Sequence, residues 1–356
     1  MRVGMIVRSS LFKTRGGDTI QISETARCLD HLGVHVRIML ANEKIPYGDF
    51  DLFHFFNITR PADILRHLNK IHQPVILTSI YINNQNSNAV FRKGLSFFSR
   101  MLTEDQMEYI KAIARGLNRT DEFPDINYLR FGQHTSIKNI LNRVDKVITV
   151  SDREQELIFS RYHVPFNYTN ILPGLSETFL KSFSFNKKED DLVLCVSRIE
   201  ANKNQLNLIK ALNDTKYRLI IVGDAAPNQT DYYMECRKSA SSNISFLPFM
   251  SHDGLRELYL SAKVHVLPSF FENFGLSTLE AISMGCQVVV GENGFISDVI
   301  GDFAFYCDPA SPSSIYSAVD KAAKAPDDLS VIEKVRQMTW LNAAEKIKLL
   351  YHSILD

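Results

Sequence analysis

The chain has 356 residues, 45% hydrophobic and 22% charged, which allows two domains that each bury a core and reads as a soluble globular enzyme. Lysine plus arginine balances aspartate plus glutamate at 40 each, but residues 1–183 carry 23 basic against 18 acidic (+5) and the remainder 17 against 22 (−5). That N-terminal excess suits an anionic acceptor or an anionic membrane surface, is too small for a nucleic-acid binder, and accompanies no nucleic-acid motif.

Arg2 to Val7 is expected as a strand and Arg8 to Asp18 as a loop holding Gly16-Gly17. Thr19 to Leu32 follows as a helix stopped by Gly33, and Val34 to Leu40 as the second strand. This βαβ opening is Rossmann-like but lacks the G-x-G-x-x-G dinucleotide fingerprint. Its glycine pair either lets backbone approach a ligand or simply turns the chain. Asp51 to Phe56 and Pro74 to Ser79 are the next strands, joined by a helix from Pro61 to Lys70 with proline at its first position.

The run Phe91 to Leu102 mixes aromatic and basic residues and fits either a membrane-interface helix or ordinary amphipathic cover. Glu104 to Gly116 and Ile126 to Leu141 read as helices, the second carrying His134. Val144 to Val150 returns to strand, and Ser151 caps a helix with Glu154 three residues on. Tyr168 to Leu172 is the last strand of this half, and the polar stretch Lys181 to Asp191 reads as an interdomain linker.

A second Rossmann-like half then starts with a strand, Leu192 to Ser197, and a loop at Arg198. A helix from Gln205 to Leu212, a strand from Tyr217 to Val222 and Gly223 follow. Val264 to Gly291 is the densest stretch. A β-branched strand gives way to a loop with Pro268 and Gly275, then to a helix with Leu276, Leu279, Ile282 and Met284 on one face up to Gly285. Val288 begins the next strand. Two carboxylates stand here, Glu272 in the loop and Glu280 on the helix.

Ligands of open α/β sheets bind outside the carboxyl ends of strands, and the unpaired N–H groups of a helix start attract phosphate. The same residues also fit a capping box, with Ser277 as N-cap and Glu280 reaching back, beside a solvated Glu272. Spacing alone leaves both readings open. Ala304 to Tyr306 is a short strand, Pro312 to Lys324 a helix, and Met338 to Leu355 a final amphipathic helix in which Trp340 packs. Cys28, Cys195, Cys236, Cys286 and Cys307 form no C-x-x-C pair and read as buried free thiols in a reducing compartment. The N-terminus is too poor in apolar residues for a signal peptide and no run spans a membrane, so the expected place is the cytoplasm.

Glu272 and Glu280 are separated by seven residues, with Phe274-Gly275-Leu276 between them and Ala281 and Gly285 after. This pattern resembles the E-x7-E signature of retaining glycosyltransferases of family 4, which have the GT-B fold. Val196-Ser197-Arg198-Ile199 with Lys203-Asn204 is similar to that family's Arg and Lys five apart, and a guanidinium beside an ammonium suits a diphosphate. The resemblance is strong from Val193 to Pro309 and weak from Arg8 to Asn142.

The resemblance implies an α/β fold of two Rossmann-like domains facing a central cleft. Residues 1–183 would bind acceptor and 184–337 the nucleotide sugar, with a C-terminal helix, 338–356, crossing back to the N-terminal domain. It implies transfer of a sugar from a nucleotide diphosphate sugar to an acceptor hydroxyl with retention, with no metal and no other cofactor, in polysaccharide or glycoconjugate biosynthesis. Catalytic duties would fall on Glu272, Arg198 and Lys203. Donor contacts would come from Glu280 at the ribose, Gly275, Leu276, Ser277, Gly223, Phe249 near the base, Gly16 and Gly17.

Asp51-Leu52-Phe53-His54 is similar to the family's D-x-x-H and would bring His54 to the acceptor. The family's T-x-H histidine is missing from Thr78-Ser79-Ile80-Tyr81-Ile82-Asn83, where Tyr81 or Asn83 would stand in, and Pro173-Gly174 replaces its Asn-Gly. Asp49-Phe50-Asp51 spells D-x-D, the metal signature of a different glycosyltransferase fold, and is read here as metal-free loop carboxylates. The implied partners are the donor and a saccharide or lipid-linked saccharide acceptor, with peripheral contact at the inner membrane face through the N-terminal domain. The departures leave room for a non-catalytic nucleotide-binding partner of another transferase, and paired Rossmann-like domains also suit a nucleotide-sugar epimerase or a phosphorylase.

Overall fold

The computed structural model describes residues 1–14, 16–82, 102–118, 121–181, 188–326 and 329–356. Among these, residues 1–82, 102–174 and 340–356 form one compact unit and residues 175–339 another. Asn83 and nearly all of the run from Phe91 to Leu102 lie outside the described residues.

In the first unit β1 (Arg2–Val7), β2 (His35–Leu40), β3 (Leu52–Phe56), β4 (Val75–Thr78), β5 (Lys146–Thr149) and β6 (Tyr168–Asn170) make one parallel sheet, in the order β2-β1-β3-β4-β5-β6. Parallel neighbours need crossovers, and helices Gly17–His31, Pro61–Leu68, Ile126–Arg143 and Asp152–Tyr162 supply them. Every residue of β3 and β4 is buried, as expected of a sheet covered on both faces. The strand order reverses between β1 and β3. The periodicity predicts one continuous helix from Ile126, but Gly132 at φ 72° breaks Ile126–Arg143 in two, a conformation that only glycine adopts cheaply.

The chain's last helix, Trp340–Leu355, belongs to this first unit and packs on helix Gly17–His31. Lys348 Nζ donates to the Leu32 carbonyl at 2.8 Å. Tyr351, fully buried, meets His54 Nδ1 at 2.7 Å, while His54 Nε2 meets Thr78 Oγ1 at 2.8 Å. One histidine thus joins β3, β4 and the final helix.

In the second unit β7 (Glu189–Val196), β8 (Arg218–Val222), β9 (Ile244–Leu247), β10 (Ala262–Leu267), β11 (Gln287–Gly291) and β12 (Phe305–Cys307) are again all parallel. Their order, β9-β8-β7-β10-β11-β12, is that of the doubly wound sheet, with its reversal between β7 and β10. Val193, Val264, Val266 and Val289 of the sheet pack with Leu208 and Leu212 of helix Gln205–Leu212 and Ile315 and Val319 of helix Pro312–Lys324. β7 starts at Glu189, inside the stretch expected as linker. Arg218 on β8 pairs with Glu189 and Asp191, which lets a charged segment end a strand. The five cysteines are buried, and none is disulfide-bonded among the described residues. Among the described residues no helix is long and apolar enough to cross a membrane.

Candidate functional site

The reversal between β7 and β10 puts the loops that leave their carboxyl ends side by side. After β7 the chain passes Arg198 and a 3-10 turn, Ala201–Lys203, to Asn204. Asn204 is left-handed (φ 60°), which turns the chain into helix Gln205–Leu212. Its buried amide donates to the carbonyls of Pro268 (3.1 Å) and Pro309 (2.7 Å), tying together the loops after β7, β10 and β12. Asn202 adds two bonds: its carbonyl accepts from Phe270 N (2.9 Å) and its amide donates to Phe271 O (3.0 Å).

This stitching brings Lys203 Nζ to 2.6 Å from Glu272 Oε2, with the two side chains 17% and 16% exposed. Ser269 Oγ donates to the same oxygen at 3.1 Å. The backbone of Glu272 is gripped by the loop after β11: its N–H donates to Asn293 O (3.2 Å) and its carbonyl accepts from Phe295 N (3.1 Å). Gly294, at φ 137°, lies so close that a Cβ there would stand 2.0 Å from the Glu272 carbonyl oxygen. Gly223 packs as tightly under Ser197, and Gly291 under Ser269.

Helix Leu276–Ser283 begins at Gly275, which caps it in the left-handed conformation (φ 70°). The capping box centred on Ser277 does not form. Its first N–H groups, at Leu276 and Ser277, have no partner inside the helix and give its start a positive end. Glu280 turns inward instead, 7% exposed, with the Tyr259 hydroxyl 3.3 Å from Oε2. Burial pushes the Glu280 carboxyl up to about 7, against the lowering effect of the Tyr259 bond. Arg198 is more open, 41% exposed, and meets Glu200 at 3.4 Å. Among the described residues Asn202 Oδ1, Gln205 Oε1 and Thr278 Oγ1 are buried around this point without a hydrogen-bond partner. In a packed interior such atoms mark a place for ligand or water.

Of the residues expected at the site, the second unit therefore brings Lys203, Glu272, Gly275 and the helix start at Leu276 and Ser277 to one sheet edge, with Arg198 on the same loop as Lys203. Phe249 stands on the loop after β9, 66% exposed, its N–H donating to Asp224 at 3.2 Å. Gly16 and Gly17 lie in the first unit, at the start of helix Gly17–His31.

The acceptor residues fare differently. His54 has no exposed surface and both ring nitrogens are engaged. Burial lowers it to about 3, so it is a neutral core residue with no face to offer an acceptor. Tyr81 is also buried, with its hydroxyl accepting from Arg161 at 3.0 Å and its N–H donating to Glu154 at 2.9 Å. Asp49 and Asp51 stand at the amino end of β3, and Asp51 accepts from the Arg2 N–H at 2.7 Å. Sequence reasoning gave Asn204 no role of its own and missed Ser269, Gly294 and Tyr259. Gly294 carried a faint signal as a glycine outside any helix-stop pattern, whereas Tyr259 reaches Glu280 from 21 residues away and carried none.

Residues 177–338 match the family model described as glycosyl transferases group 1. The chain is 27% identical over 217 residues to the O-antigen chain mannosyltransferase RfbU of Salmonella typhimurium, covering 59% of each protein. It is 24% identical over 266 residues to the glycogen synthase of Clostridium botulinum, covering 69% of this chain and 53% of the synthase. The matches thus span a little over half the length of these relatives. Among solved structures the chain is similar to the sucrose-phosphate synthase of Thermosynechococcus elongatus, with a TM-score of 0.72, 16% identity and 99% of both chains covered. It is also similar to Anabaena Alr3699/HepE in complex with UDP and glucose, at a TM-score of 0.66 and 14% identity, covering 99% of this chain and 100% of that one.

Proposed function

We propose, from the match of residues 177–338 to the model described as glycosyl transferases group 1, that the chain is a retaining, metal-independent glycosyltransferase. It moves a sugar from a nucleotide diphosphate sugar to an acceptor hydroxyl in polysaccharide or glycoconjugate synthesis. Its two-domain α/β fold is the GT-B fold of its solved neighbours. The observation that carries the reading is the Lys203–Glu272 pair at the reversal point of a doubly wound sheet, beside an open helix start.

The pair holds both groups ready and neutralised. A diphosphate draws Lys203 to its oxygens, with Arg198 turning in beside it, and this releases Glu272 to accept hydrogen bonds from the donor sugar's hydroxyls. As the bond from the anomeric carbon to the diphosphate breaks, charge grows on the leaving oxygen. Lys203, Arg198 and the N–H groups of Leu276 and Ser277 stabilise it. The acceptor hydroxyl attacks from the same face and its proton passes to a phosphate oxygen. Glu280 accepts from the ribose hydroxyls. Gly223 and the Phe249 backbone flank the base.

Two cationic side chains and a helix start meet the diphosphate's charge, and the D-x-D pair stands at the opposite end of its strand from any ligand crevice, with Asp51 bonded to Arg2. Both support metal independence. The relative named for O-antigen chains suits a polymeric or lipid-linked acceptor. Leu117 and Ile126, 68% and 77% exposed on the N-terminal unit, suit peripheral contact with a membrane.

The test is nucleoside-diphosphate release from a panel of nucleotide sugars, with and without EDTA. One donor should be hydrolysed slowly, at the same rate in EDTA. Absence of both release and thermal shift with every donor overturns the enzyme reading, and loss in EDTA overturns metal independence.

A further inference from the structure

Helix Leu276–Ser283 holds a hydroxyl that the reaction above does not use. Thr278, in its first turn, has no exposed surface, and among the described residues its Oγ1 meets no hydrogen-bond partner. A hydroxyl buried unpaired costs stability, so its place calls for a reason. The surroundings supply one. A Cβ built on Gly275 would stand 3.4 Å from Thr278 Oγ1 and 3.4 Å from Glu272 Cγ. Both side chains therefore border the room that this glycine leaves free. The Thr278 N–H is spent on the Gly275 carbonyl at 2.9 Å, which leaves the hydroxyl as the donor on that side.

Asn202 Oδ1 and Gln205 Oε1 are unpaired at the same sheet edge, but their amide nitrogens already donate, to Phe271 O and to Ser197 Oγ and Arg198 O. An oxygen that only accepts has nothing to offer a carboxylate, whereas a hydroxyl donates. Glu272 has a use for such a donor. Lys203 and Ser269 both bond its Oε2. When a diphosphate draws Lys203 away, a carboxylate only 16% exposed loses its ammonium partner, and unpaired charge in such a place is costly.

We propose that Thr278 is a positioning residue for Glu272. Once Lys203 has moved to the diphosphate, the Thr278 hydroxyl donates to Glu272 Oε1 across the space beside Gly275 and fixes the carboxylate against the donor sugar. A carboxylate has about four lone-pair sites. With Ser269 on Oε2 and Thr278 on Oε1, the group is held from both ends and the remaining sites stay open to the sugar's hydroxyls. The proposal rests on the glycosyltransferase reading, in which Glu272 meets the sugar.

The test compares the parent chain with Thr278→Val, which removes the hydroxyl and keeps the shape, and Thr278→Ser, which keeps the hydroxyl. Three quantities are read on each: nucleoside-diphosphate release from UDP-glucose, ADP-glucose, GDP-mannose and dTDP-glucose; calorimetric binding of the nucleoside diphosphate of whichever donor turns over; and the thermal melt. Thr278→Val should lower kcat about tenfold, the effect of one lost hydrogen bond. Its Kd for the nucleoside diphosphate, which has no sugar for Glu272 to hold, should not change. It should melt no lower than the parent chain, and Thr278→Ser should restore kcat. A hydroxyl that only supported the fold would lower the melting temperature along with the rate, and one that bound the diphosphate would weaken Kd. Either result overturns the proposal, as does full kcat in Thr278→Val or a loss that Thr278→Ser shares. The parent chain separates this from the wider reading. No release by it from any donor overturns both, whereas release that Thr278→Val matches overturns the positioning role alone.

Discussion

Lys203 and Glu272 neutralise each other at 2.6 Å, partly shielded from water, so neither can be removed without stranding the other. The surrounding stitching does not depend on them. Asn204 holds Pro268 and Pro309 through its own amide, and the Glu272 backbone is held by Asn293 and Phe295 whatever its side chain. Lys203→Ala and Glu272→Ala should therefore each stay folded while losing about 10²–10³-fold in kcat, the usual cost of one group aimed at transition-state charge. Donor turnover beside a circular dichroism melt measures both. Full activity in either variant removes that residue from the mechanism.

At the scale of elements, the grip on Glu272 comes from backbone geometry. The loop after β11 can lie against Glu272 only because Gly294 has no Cβ and adopts φ 137°. Gly294→Ala sets a methyl 2.0 Å from a backbone oxygen that cannot swing aside. It should destabilise the chain by about 1–3 kcal/mol, as overpacking does. It should also lower activity more than a comparable change at Gly33, where a Cβ meets nothing within 4 Å. Melting temperature and turnover, measured on both variants, make the comparison.

Elements carrying their own punctuation were legible in the sequence. Pro312 at a first helical position marks helix Pro312–Lys324, and runs dominated by apolar residues mark β3 and β10. Helix Thr230–Ser239 escaped because only Cys236 on it is buried, leaving no apolar stripe to read. The Ser277 capping box failed because Gly275 supplied a cheaper start two residues earlier, and Glu280 found Tyr259 across the fold. His54 went astray for a similar reason. Its partners Thr78 and Tyr351 lie 24 and 297 residues away, a separation that no local pattern reports.

For the molecule as a whole, three buried groups set opposing pH dependences. His54 and His265 are both lowered to about 3 by burial, so between that value and about 6.5 the unfolded chain binds the protons and stability falls as pH falls. Glu280 is raised to about 7, so between about 7 and 4.5 the folded chain binds the proton and stability rises as pH falls. Each group contributes about 1.4 kcal/mol per pH unit inside its window. From pH 6.5 to 4.5 the two histidines outweigh the one carboxyl, and the net loss from these three is about 1.4 kcal/mol per unit. Glu280→Gln removes the opposing contribution, so its stability should fall about twice as steeply over that range. Denaturant midpoints at half-unit pH steps read the slopes, and parallel slopes would mean that Glu280 is not held protonated in the fold.

The last helix carries one more consequence. Tyr351 completes a hydrogen-bonded chain through His54 to Thr78, yet a ribosome delivers it only after all of residues 175–339. The unit made first is therefore finished last. While the second unit emerges as one uninterrupted segment, the first waits with the groove beside helix Gly17–His31 uncovered and its buried histidine short of a partner. The last stretch of this sequence to be made is what closes the unit begun before residues 175–339.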